Sequence, residues 1–102
     1  MTQAEMYMEV DRCANVARQQ MERAILALKR SGLLEPLQIS NLDKAQENWE
    51  AYAKSQAEFA AAEFEGGSMA PLVYASELEL VTISRTGELN RMFQELKERY
   101  GD

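Results

Sequence analysis

The chain has no histidine and a single cysteine, Cys13, among its 102 residues. Those two shortages remove much of the usual chemistry. Without imidazole, neither a His₃ nor a Cys₂His₂ metal centre can be built, and a Ser-His or Cys-His catalytic pair is excluded. One cysteine cannot close an intramolecular disulfide, so packing alone must hold the fold. No cofactor and no metal are expected. Strand signals are nearly absent as well, since "LVTI" is the one β-branched patch. No run of about 18 apolar residues occurs, so no membrane span is expected. The opening "MTQAEMYMEVDRC" has no basic start and no apolar core of about 7–15 residues, so no signal peptide is legible.

What remains is a small, acidic chain with an ordinary apolar content. Apolar residues make up 46% and charged residues 27%, which suits one soluble domain over 1–102. Such a domain buries about two-thirds of its unfolded surface at best and is modestly stable alone. Seventeen acidic against eleven basic residues leave a net charge of −6. That field repels nucleic acid and favours a cationic partner, although solubility alone also accounts for it.

Helical periodicity dominates. Val10, Cys13, Ala14, Ala17, Met21, Ala24, Ile25 and Leu28 recur by threes and fours, and the spacing predicts a helix over about 3–31. Gly32 fits its C′ position, and Pro36 follows as a stop signal. Ser40, with Asp43 three residues on, predicts the start of a second helix over about 41–65. Its stripe holds Leu42, Ala45, Trp49, Tyr52, Gln56 and Phe59, and Gly66-Gly67 then reverses the chain. Ser68 is read as the cap of a third helix over about 69–99, with Leu72, Ala75, Leu78, Thr82, Arg85, Leu89, Met92 and Leu96 on its stripe. The fold class is therefore all-α: an antiparallel three-helix bundle with long helices and short turns. Helices this long leave part of each stripe uncovered, which invites a homodimer or another partner.

Trp49, Tyr52 and Phe59 are read as core aromatics, and Cys13 as a small buried hydrophobe. Arg85 interrupts an apolar stripe and allows two readings. Its stem lies along the groove with the guanidinium emerging, or it makes a partly buried ion pair with Glu58 or Glu63 that fixes helix register. Glu58, Glu63 and Glu65 cluster near the second turn, but acids at a helix end form a solvated face and imply no hydrolase site.

The ordered pattern "AQENWEAYAKSQAEF" followed by "GGSMAPLVYASELELVTISRTGEL" resembles the LprI-like lysozyme-inhibitor family. The matching residues include Ala45, Gln46, Trp49, Tyr52, Phe59, Gly66, Gly67, Ser68, Ala75, Ser76, Thr82, Arg85, Thr86, Glu88 and Leu89. Near the amino end, "QAEMYMEVDRCA" is similar to the family opening and sets Cys13 on a family cysteine. Two departures stand out: Ala57 and Glu77 occupy positions where the family carries Cys. The resemblance implies a small secreted or periplasmic helical protein, not an enzyme, that inhibits a lysozyme or another cationic cell-wall hydrolase. The exposed acidic turn Glu63, Glu65, Gly66, Gly67, Ser68 is the expected contact. An immunity protein against a peptidoglycan-degrading toxin, or a helical adaptor, fits the same residues.

Overall fold

The computed structural model describes residues 1–101. Three helices run in chain order, α1 (Gln3–Arg30), α2 (Pro36–Ala62) and α3 (Ala70–Tyr100), and no strand occurs among the described residues. Each start and stop has a local cause. Thr2 opens α1 by accepting a hydrogen bond from the Glu5 backbone N–H at 3.1 Å. Ser31 and Gly32 close it. The Ser31 hydroxyl donates to the Leu28 carbonyl at 2.7 Å, and Gly32 takes the left-handed region at φ +76°.

The start of α2 departs from the expectation at Ser40. Glu35 is the N-cap, and its backbone N–H donates to the Gln38 side chain at 2.7 Å. Pro36, read from sequence as a helix stop, instead occupies the first turn of α2. There its missing N–H leaves nothing unsatisfied and its fixed φ suits the helix. Ser40 lies inside the helix.

The second connection is a run of tight turns from Glu63 to Met69. Gly66 takes φ +80°, and the Gly67 backbone N–H donates to the Phe64 carbonyl at 2.9 Å. Ser68 does not cap α3, whose N-cap is Met69 without a side-chain hydrogen bond. The Ser68 hydroxyl instead accepts from the Gln3 side chain at 2.9 Å. That contact fastens the hairpin to the start of α1, in a bundle whose short connections leave α1 and α3 parallel and α2 antiparallel to both.

α3 is the central rod, packed along both α1 and α2. The buried line of α1 is Ala14, Ala17, Met21, Ala24 and Leu28, and that of α3 is Leu72, Ala75, Thr82 and Leu89. Small residues on α1 let α3 approach closely. Met21, Ala24, Leu28 and Leu89 form the core cluster, flanked by Ile25, Leu34, Leu42, Trp49, Met92, Phe93 and Leu96. Burial of each large aliphatic side chain contributes about 1.5–3 kcal/mol. Thr82, the one buried polar residue among those described, returns its hydroxyl proton to the Leu78 carbonyl at 2.6 Å.

α2 presents a different face from the one its aromatics suggest. Its buried residues are Ala53 and Ala57, with Leu42, Gln46, Trp49, Gln56 and Ala60 partly covered. Tyr52 is 55% exposed and Phe59 77% exposed. Neither belongs to the core, and of the expected aromatic trio only Trp49 packs against it.

Candidate functional site

The sequence-derived turn residues come together at one end of the molecule. Glu63, Glu65, Gly66, Gly67 and Ser68 are all exposed, as is Met69. They form an exposed acidic tip in which the apolar Phe64, 36% exposed, stands between Glu63 and Glu65 in the sequence. The backbone hydrogen bonds Phe64 to Ala61 and Glu65 to Ala62, at 2.9 and 3.2 Å, continue the helical path just past α2 and hold the tip compact.

Arg85 acts elsewhere. Its side chain is 11% exposed, and its Nε donates to the Gln46 Oε1 at 3.1 Å. The Gln46 amide then donates to the Met21 Sδ at 3.4 Å. One residue from each helix is thus joined through the middle of the bundle. Neither Glu58 nor Glu63 meets Arg85; its carboxylate partner is Glu88, one turn along α3, at 3.5 Å. The reason is reach, because Glu58 lies in the last turns of α2 and Glu63 just beyond its end, whereas Arg85 bonds Gln46 in the first half of α2. The aliphatic-stem reading describes most of this residue, with a cross-helix hydrogen bond added.

Cys13 is half-buried on the flank of α1. Its Sγ lies 3.9 Å from a Glu9 carboxylate oxygen, beside the exposed Glu9–Arg12 pair at 2.5 Å. The hydrogen bond and charge of Arg12 hold the Glu9 carboxyl below the ordinary glutamate range. Two further ion pairs tie α1 to α2: Arg18 with Glu50, and Lys29 with Asp43 at 2.5 Å. The Glu50 bond and its charge raise the Arg18 guanidinium further.

Beside the acidic tip, a groove of about 450 Å³ runs between α1 and α3. Tyr7, Asp11, Ala14 and Arg18 follow one another by threes and fours along α1, and Tyr74 and Ala75 face them from α3. Sequence reading passed over Tyr7, Asp11, Arg18 and Tyr74, although the spacing of the first three sets them on one helical face. Trp49 and Tyr52 border a second depression, of about 540 Å³, against α3 with Glu77 and Glu88.

Among the described residues no group of three or more cysteines or carboxylates is placed to hold a metal, and no helix is long and apolar enough to cross a membrane. The molecule is an all-α three-helix protein in which Arg85 and Gln46 tie the helices together through the interior. At one end it carries an acidic tip, with a groove beside it. The chain belongs to the lysozyme inhibitor LprI family, whose model matches residues 1–89. No curated protein and no solved structure matches it. The matched span takes in all of α1 and α2, the tip and α3 as far as Leu89, including Gln46 and Arg85.

Proposed function

We propose that this protein is a non-enzymatic inhibitor of a lysozyme or a related peptidoglycan hydrolase, secreted or periplasmic, acting by covering the enzyme's cleft or adjoining surface. Family membership over residues 1–89 is the observation that carries this reading. Electrostatics supports it: a net charge of −6 complements a strongly cationic hydrolase and accelerates encounter. The contact is assigned to the turn Glu63, Glu65, Gly66, Gly67 and Ser68. This segment is an exposed tight turn at one end of the bundle, with a carboxylate residue on each side of the apolar Phe64 in the sequence. Such a tip suits a cleft that accepts a polysaccharide chain.

The test is a turbidity assay of lysozyme on washed cell walls. The wild-type chain is expected to slow clearing. Glu63→Lys combined with Glu65→Lys is expected to weaken inhibition by at least about tenfold, through charge reversal at the contact. Full inhibition by that variant would move the contact to another face, and no inhibition by the wild type of several lysozyme types would remove the reading itself.

A further inference from the structure

The groove beside the tip has chemistry that the acidic turn does not share. Its floor is made by Ala14 and Ala75, small residues that leave a depression where larger side chains would have closed the bundle. Tyr7 and Tyr74 border it from α1 and α3. Asp11 lies half-buried along the α1 wall. The one cation lining the groove, Arg18, is already matched twice, by Glu50 and by Glu22 at 3.2 Å. Asp11 has no such match. Its partner is the Asn15 amide at 3.4 Å, and no lysine or arginine among the described residues lies within ion-pair distance of it. An apolar floor, two aromatic rings and an unneutralised carboxylate complement one kind of side chain.

We infer that this groove is a second contact site for the protein partner, and that its occupant is an arginine side chain projecting from the partner's surface. The planar guanidinium stacks on the tyrosine rings while its N–H fork meets the Asp11 carboxylate, and its stem lies over the alanines. Lysine, a compact and strongly hydrated charge, uses these features less fully. Ala61, in the last turn of α2, and Ala70, the first residue of α3, also line the groove. The groove therefore runs from the base of the tip towards Arg18 and Thr82, and a single basic partner spans both. This inference rests on the inhibitor reading for the identity of the partner, but the groove's binding of an arginine side chain is testable by itself.

The experiment measures binding of c-type lysozyme to the wild-type chain, to Asp11→Asn and to Glu98→Gln, which removes the same charge from the far end of α3. Unchanged melting of each variant verifies the fold. Asp11→Asn is expected to weaken binding about tenfold, against about twofold or less for Glu98→Gln. Equal effects of the two variants would overturn the groove and leave the inhibitor reading standing. If the wild type binds no c-type lysozyme, that enzyme is not the partner, the inhibitor reading passes to the turbidity assay with other lysozyme types, and a titration of isotope-labelled protein with N-acetylarginine amide decides the groove. Saturable shifts at Tyr7, Asp11 and Tyr74 that vanish in Asp11→Asn uphold it; no shifts there overturn it.

Discussion

Arg85 shows how one polar residue can organise a core too thin to organise itself. Its hydrogen bond to Gln46, and that of Gln46 to Met21, join the three helices at one level. A core of alanines and a few large aliphatics tolerates sliding, and a directional bond across it fixes register. Arg85→Ala removes the stem's packing and leaves Gln46 short of a partner, so urea denaturation should show a loss of about 2–3 kcal/mol. Arg85→Met keeps the apolar volume and should lose about 1 kcal/mol. A methionine variant as stable as the wild type would mean that packing of the stem, and not the bond, is what matters here. The importance of the residue was legible from its place on an apolar stripe. Its partner was not, because Glu58 and Glu63 had the right charge and the wrong position along the chain, while Gln46 had no charge to draw attention.

At the scale of elements, the helices were readable to within a few residues, and the exceptions have physical causes. Gly32 ended α1 as its conformational freedom suggests. Pro36 carries two meanings, helix stop and helix first turn, and here it serves the second, with Glu35 standing in for a more usual cap. The face of α2 was misjudged for a simpler reason. Aromatic size drew the stripe through Tyr52 and Phe59, whereas α3 comes close enough to admit only Ala53 and Ala57. At about 100° per residue, Phe59 stands roughly 200° round from Ala57 and must face outward. Glycines separate in the same way. Gly87 lies within α3 with nothing within 4 Å of an added Cβ, whereas Gly66 sits at φ +80°. Gly87→Ala should therefore stabilise the protein by about 0.5–1 kcal/mol, and Gly66→Ala should cost about 1 kcal/mol. Denaturation midpoints moving in the same direction for both would contradict this account of the hairpin.

The whole molecule is a slender rod, 51 × 25 × 16 Å with a radius of gyration of 16.4 Å, against about 13 Å for a compact domain of this size. Slenderness explains both the small core and the large exposed area over which the net charge of −6 is spread. Association with a cationic hydrolase should accordingly be salt-sensitive. The screening length falls from about 10 Å at 0.1 M to about 3 Å at 1 M salt. Stopped-flow association rates should drop by at least about tenfold over that range, while dissociation changes little. A rate indifferent to salt would argue against electrostatic encounter. The hydrogen bond between Gln3 and Ser68 has a practical corollary for anyone handling the protein. It holds the start of α1 beside the tip, whereas the length of α3 carries Tyr100 to the opposite pole, so a purification tag or surface tether is best joined at the carboxyl end, where a fused passenger leaves the tip and groove unshaded.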